Sequence, residues 1–231
     1  MDILPQLDLV DAVITDPPYG DTACEWDIPV SGWWNLIKTR QFWAFGSMKY
    51  WLAVSQRIES SGWKHAQEVI WEKHNGSSIH KDRFRRVHEI AVHWYKGSWG
   101  DLYHETPVTH DAKRRTVKRT GGLRHFGKVA TDQYTSEEGG PRKMRSVIEV
   151  PSCHGYAIHP TQKPIGILDP LVQYSLPSGS ICCDPFMGSG STGIACLNRG
   201  VRFIGIEKDP VIFKKACERY KAAQAQGRLF K

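Results

Sequence analysis

Apolar and polar positions along the chain fall into short blocks with different periods. Ala12–Thr15 is an apolar-rich run cut off by Asp16-Pro17-Pro18-Tyr19-Gly20. Two prolines cannot continue a hydrogen-bonded ladder, so this pattern predicts a strand entering a rigid loop. Trp33–Arg40 has helical spacing, and Gln41–Phe45 reads as a buried strand ending at Gly46-Ser47. Met48–Ser60 follows as a helix, with Ser47 as its N-cap. Glu68–Trp71 and Glu89–Tyr95 are rich in Val, Ile and aromatic residues and predict two further strands. Order resumes after His159-Pro160. Pro164–Tyr174 reads as a helix, Ser180–Cys183 as a strand, Ser191–Asn198 as a helix and Val201–Ile206 as a strand closed by Glu207. Pro210–Gln224 is expected to be a helix with Ile212, Phe213, Ala216, Cys217 and Tyr220 on its buried side. This alternation predicts an α/β fold, a mostly parallel sheet covered on both faces.

Composition narrows the picture. The chain has 231 residues, 40% of them hydrophobic, and a net charge of +7. That is room for one domain carrying an insertion. No apolar run approaches the roughly 20 residues of a membrane span, and the start shows no leader pattern, so no membrane association and a cytoplasmic location are expected. The six cysteines form no C-x-x-C pair and are expected to be buried free thiols. His88-Glu89 and His93 give H-E-x-x-x-H, the wrong spacing for a zinc helix, so no metal is expected. The charge is concentrated between residues 110 and 146, where ten Lys and Arg face four acids, a local +6. A basic insertion over 97–154 is therefore expected between two halves, 1–96 and 155–231. Its cations include Lys113, Arg114, Arg115, Lys118, Arg119 and Arg124.

Three motifs carry chemistry. Gly188-Ser189-Gly190-Ser191-Thr192-Gly193 matches G-x-G-x-x-G between a strand and a helix, where backbone can approach a nucleotide. Glu207 ends the next strand, where an acid can accept bonds from ribose hydroxyls. Alone this pair fits any adenosine cofactor, a dinucleotide included. Asp16-Pro17-Pro18-Tyr19 narrows the choice. A nucleobase amine is a poor nucleophile because its lone pair delocalises into the ring. Acceptors at Asp16 and the Pro17 carbonyl can favour a more pyramidal nitrogen, Pro18 stiffens the loop, and Tyr19 offers a face on which a base can stack. The third motif, His159-Pro160-Thr161-Gln162-Lys163-Pro164, is braced by two prolines and places Lys163 to meet a cofactor carboxylate.

With these residues in this order, the chain resembles the beta class of amino-group DNA methyltransferases. Asp16–Tyr19 is similar to the family's catalytic motif, Asp184–Thr192 to its cofactor loop, and His159–Pro164 to the motif preceding that loop. Arg83–Gly97 is similar to a segment ahead of the target-recognition region. The resemblance implies a Rossmann-like sheet of the class I methyltransferase type. It implies S-adenosyl-L-methionine as cofactor, held by Asp16, His159, Thr161, Gln162, Lys163, Asp184, Phe186, Gly188, Ser189, Gly190, Ser191, Thr192 and Glu207. Asp before Pro-Pro-Tyr is more typical of adenine-N6 enzymes than of cytosine-N4 enzymes. A flipped-out adenine in double-stranded DNA is thus the implied substrate, with Lys113, Arg114, Arg115, Lys118, Arg119 and Arg124 implied to meet its phosphates, and with a homodimer and a cognate restriction enzyme as partners the family allows. The alternatives are a cytosine-N4, RNA or protein amine methyltransferase, or a cofactor-impaired DNA-binding relative. The last arises because family members usually carry an upstream strand ending in an acid near the cofactor's adenine; here Met1-Asp2 begins where that strand should already have finished, so either Asp2 stands in or a piece is missing.

Overall fold

A computed structural model describes residues 2–77, 81–119 and 132–229. The chain divides into two compact units, residues 106–145 and the remainder. In chain order the strands are β1 (Ala12–Thr15), β2 (Gln41–Gly46), β3 (Lys64–Ser77), β4 (Arg86–Tyr95), β5 (Val108–Thr109), β6 (Arg115–Arg119), β7 (Asp132–Ser136), β8 (Arg142–Lys143), β9 (Val147–Glu149), β10 (Ile181–Asp184) and β11 (Arg202–Gly205). The helices are α1 (Met48–Ser60), α2 (Ile165–Ser175), α3 (Ser191–Asn198) and α4 (Pro210–Leu229).

The larger unit is built on a seven-stranded sheet in the order β11-β10-β1-β2-β4-β3-β9. The pairs β11–β10, β10–β1, β1–β2 and β3–β9 are parallel, whereas β4 runs antiparallel to both β2 and β3. The expected mostly parallel sheet is therefore present, with one reversed strand in its middle. Successive residues of β1 enter opposite faces. Val13 joins a core with Trp33, Trp34, α1 and Trp94, while Ala12 and Ile14 join a core with α2 and α3. A strand buried on both sides must be apolar throughout, which is what the run Ala12–Ile14 supplies.

α1 starts as the sequence implies, with Ser47 Oγ accepting the Tyr50 N–H at 3.3 Å. Three expectations are corrected. Trp33–Arg40 is not a helix; only Trp33–Asn35 forms a 3₁₀ turn. Beyond it Ile37 and Thr39 are buried while Lys38 and Arg40 are exposed, the alternation of extended chain. The Lys38 carbonyl accepts from Val10 N at 2.9 Å, which holds the segment beside the start of β1. On α4, Phe213 is 44% exposed and lies off the buried side, which centres on Ala216. The third concerns the insertion, whose compact unit is narrower than 97–154, because Val147–Glu149 pairs with Ile70–Glu72 as the edge strand of the large sheet.

The smaller unit holds two antiparallel pairs, β5–β8 and β6–β7. Asp111 braces the β5–β8 pair, accepting from Thr109 Oγ1 at 2.6 Å and from Arg142 Nε at 2.7 Å. Those bonds hold its carboxyl down at about 2. Lys113, Arg114, Arg115 and Lys118 are exposed. Arg114 Nε stands 3.8 Å from Glu137. The Arg119 side chain and Arg124 lie outside the described residues.

Candidate active site

β1 and β10 are adjacent and parallel, with Val13 opposite Cys183, so the loops after them leave the same edge of the sheet. Asp16 and Asp184 are thereby brought together from positions far apart in sequence. β4 runs the other way, so its first residues reach that edge too. Ile90 pairs with Gly46 at the end of β2, and Glu89 lies one step beyond.

The result is a compact charge cluster. Lys163 donates to Asp16 Oδ2, and its Nζ lies 3.2 Å from Glu89 Oε2, close enough for an ion pair but without hydrogen-bond geometry. Lys73 of β3 donates to Glu89 Oε1. The two ammonium groups also lie over aromatic faces, Lys163 5.1 Å from the Phe45 centroid and Lys73 4.6 Å from that of Trp71. Burial pushes the Asp16 carboxyl up, against the attraction of Lys163, to about 6. Burial also acts on Glu89, but Lys163 and Lys73 outweigh it and hold its carboxyl at about 2. Burial would lower the Lys163 ammonium; Asp16 and Glu89 outweigh it and keep Lys163 firmly protonated. Asp16 Oδ1 is buried with no hydrogen-bond partner.

Tyr19 packs on Tyr50 with ring centroids 6.0 Å apart. Burial raises its phenol, so it stays neutral. Asp27, which no sequence motif signals, organises the backbone around it. Asp27 Oδ1 accepts from Tyr19 N and Gly20 N, each at 2.9 Å, and Oδ2 accepts from Thr22 N and Thr22 Oγ1, each at 2.8 Å.

The cofactor-loop residues divide by what they touch. The Asp184 carboxylate accepts from Thr15 Oγ1 at 2.6 Å, Phe186 N at 3.1 Å and Thr192 Oγ1 at 2.8 Å, which commits it to shaping the loop. Burial raises its carboxyl to about 6 in spite of those bonds. Ser189 and Ser191 are held by a residue the motif does not reveal: Arg219 of α4 donates to Ser189 O and Ser191 Oγ, both at 2.9 Å. Gly190 has φ +73°, and a Cβ there would come within 3.3 Å of Ala216 Cβ, so glycine permits both the turn and the close approach of α4. Phe186 meets Trp33 edge-on at 6.0 Å. Glu207 Oε2 accepts the Gly188 N–H at 3.0 Å, placing its carboxylate against the glycine loop.

His159 lies over this loop, with its ring Nδ1 3.8 Å from where a Gly188 Cβ would stand. Its other neighbours are Trp26, at a centroid distance of 5.1 Å, and Thr161 Oγ1, 3.1 Å from Nδ1. Burial lowers its imidazolium below the ordinary histidine value. Gln162 is turned inward, accepting Ile158 N at 3.1 Å. Lys163 is engaged by Asp16 and Glu89 instead of standing open toward a cofactor carboxylate. The H-E-x-x-x-H histidines separate: His88 is exposed, whereas His93 is buried, stacks on Trp43 at 4.4 Å and is held at about 3 by burial.

A family model described as DNA methylase, of the N6/N4 methyltransferase type, matches residues 10–218. The chain is 28% identical over 180 residues to the Type II methyltransferase M2.DpnII of Streptococcus pneumoniae, covering 78% of this chain and 60% of that protein. It is 25% identical over 187 residues to the Type II methyltransferase M2.LlaDCHI of Lactococcus lactis subsp. cremoris, covering 80% and 61%. The chain thus spans about 60% of the length of these two relatives. Among solved structures, the M1.HpyAVI–SAM complex superposes with a TM-score of 0.63 at 24% identity, covering 94% of this chain and 92% of that one. The cytosine-N4-specific PvuII DNA methyltransferase gives 0.60 at 14% identity, covering 94% and 85%. These likenesses establish the fold as that of class I methyltransferases. With the family match spanning both loops of the shared sheet edge, the chain belongs to the N6/N4 DNA methylase family.

Proposed function

We propose that this chain methylates the exocyclic N6 amine of an adenine flipped out of duplex DNA, with S-adenosylmethionine as donor. The observation that carries the reading is Asp16 Oδ1, a buried carboxylate oxygen with no donor, in the loop that carries Tyr19. Leaving such an acceptor unpaired costs roughly 1–3 kcal/mol, a cost removed when an amine N–H arrives. The choice of adenine rests on Asp as the first residue of the Pro-Pro-Tyr motif.

The residues around the glycine loop suit the cofactor. The Glu207 carboxylate beside Gly188 would receive ribose hydroxyls after releasing its backbone bond. The loop at Phe186–Gly190 offers glycines that let the ligand approach the backbone, and His159 closes one side. When bound, the cofactor supplies an electrophilic methyl group. The chain's own residues do the rest. Tyr19 stacks on the extruded base, worth roughly 1–3 kcal/mol, against the few kcal/mol that extrusion costs. Asp16 Oδ1 accepts one amine N–H and fixes the nitrogen's orientation, and alignment of this kind can supply roughly 7–11 kcal/mol. A carboxylate poised at about 6 is also a competent acceptor for the proton the amine gives up. The exposed cations Lys113, Arg114, Arg115 and Lys118 would meet DNA phosphates.

The test is labelled-methyl transfer into duplex DNA, followed by nucleoside analysis and by mapping of the methylated positions. 6-Methyladenine is the expected product, and Asp16→Ala is expected to lower the rate by about 10² or more. Label in N4-methylcytosine, in RNA or in protein instead, or an Asp16→Ala variant as fast as wild type, would overturn the reading.

A further inference from the structure

Tyr19 belongs to no helix or strand, so its position depends on whatever holds the loop between β1 and the turn at Trp33. One side chain supplies most of that hold. The Asp27 carboxylate closes the loop back on itself through four hydrogen bonds of 2.8–2.9 Å, three of them from the main-chain N–H groups of Tyr19, Gly20 and Thr22. Asp27 is 8% exposed, and its own N–H donates to Cys24 O at 3.0 Å, so the carboxylate is itself fixed in place. Gly20, between two of the clamped amides, has φ +76°, and a Cβ there would come within 3.0 Å of Pro29, so the loop admits no other residue without strain. From outside, Arg86 at the start of β4 ties the loop down by a 2.8 Å bond to Asp21.

We infer that Asp27 is a positioning residue for methyl transfer: by clamping the Tyr19 and Gly20 amides it sets the plane of the Tyr19 ring against the extruded base. The inference rests on the reading of Tyr19 as the base platform. Its geometry asks for a carboxylate. Four donors converge on two oxygens, and an amide would turn an N–H₂ toward two of them. Asparagine can keep the Oδ1 half of the clamp, which faces Tyr19 and Gly20, and must give up the half that faces Thr22. Alanine removes both. The three side chains therefore form a graded series, Asp above Asn above Ala.

Two measurements on the full chain test this. Amide hydrogen exchange reads the clamp itself. In Asp27→Ala the Tyr19, Gly20 and Thr22 amides are expected to exchange at least about 10-fold faster, with α1 and the central strands unchanged. Steady-state kinetics on unmethylated duplex DNA read the positioning. Asp27→Ala is expected to lower kcat by about 10- to 100-fold, with the KM for S-adenosylmethionine and the thermal midpoint held, and Asp27→Asn is expected to fall between. A purely structural role would instead move the thermal midpoint and both KM values together, and that result would overturn the inference. Unchanged exchange in Asp27→Ala would overturn it as well, as would faster exchange with wild-type kcat. A wild-type protein that clamps these amides yet transfers no methyl group would sink the reading of Tyr19, and the positioning role with it. Loss of the exchange difference alone would leave that reading standing.

Discussion

Replacing Glu89 by Gln removes one negative charge from the cluster of Asp16, Lys163, Glu89 and Lys73 and keeps an acceptor for one of the two ammonium groups. Asp16 and Glu89 share the Lys163 ammonium. Two carboxylates so bridged stand roughly 5–6 Å apart, and at an effective dielectric of about 20 their repulsion is roughly 3 kcal/mol. Part of that figure is lost to relaxation around the site. The remainder is enough to move the titration of Asp16 down from about 6, since each decade of proton affinity is about 1.4 kcal/mol. Asp16 must be ionised to receive the amine N–H, so the wild-type rate is expected to fall as pH drops through about 6. In Glu89→Gln the same limb should appear at lower pH. The assay is single-turnover methyl transfer from pH 4.5 to 8.5, each variant scaled to its own plateau. The plateau itself can drop through changes in the site, so the position of the limb is what decides. An acid limb that stays at or above the wild-type position would refute the electrostatic account of the cluster. Stability carries an opposite signature. The Glu89 carboxyl is held below its ordinary value of 4.5, at about 2, so its stabilising effect is full above the ordinary value and is lost as pH falls between the two. The variant should lack that acid-side loss in thermal unfolding followed by circular dichroism.

Tyr19→Ala should weaken productive base binding by roughly 1–3 kcal/mol, seen as a lower kcat/KM for DNA, whereas Tyr19→Phe keeps the ring and should stay within a few-fold of wild type. Equal losses in the two variants would point to the hydroxyl and away from stacking. Binding to duplex DNA should weaken with salt, with a log–log slope near about −5 if some six cations of residues 106–145 meet phosphates. A slope near zero would exclude that grip.

Local features of the fold were readable from the sequence because their causes are local. β1, β2 and β10 are apolar runs stopped by proline, glycine or an acid, and α1 carries its own cap at Ser47. Trp33–Arg40 misleads because four apolar residues at 33, 34, 36 and 37 fit one helical face, while the extended path that follows depends on Val10 and Asp11, which lie elsewhere in the chain. β9 could not be foreseen, since its pairing with β3 joins residues far apart and three residues carry too little pattern. The site divides in the same way. Asp16, Tyr19 and the glycine loop are spelled out by contiguous motifs. Asp27, Glu89, Lys73 and Arg219 act through partners that only the folded chain supplies. Lys163 shows the difference most directly: its motif suggests a ligand contact, yet its ammonium finds Asp16, 147 positions away in sequence.

The ends of the basic segment are anchored independently of what lies between them. Glu105 N donates to Tyr174 O at 2.8 Å, and Ser146 O accepts from Ile70 N at 2.7 Å, so chain leaves and re-enters the large sheet unit at two fixed posts. The loops after β1 and β10, which carry the proposed chemistry, lie outside those posts. On the proposed reading, address and reaction ride on separable stretches of polypeptide, and the stretch between the posts could be exchanged, lengthened or rewritten while the loops after β1 and β10 go on meeting unchanged.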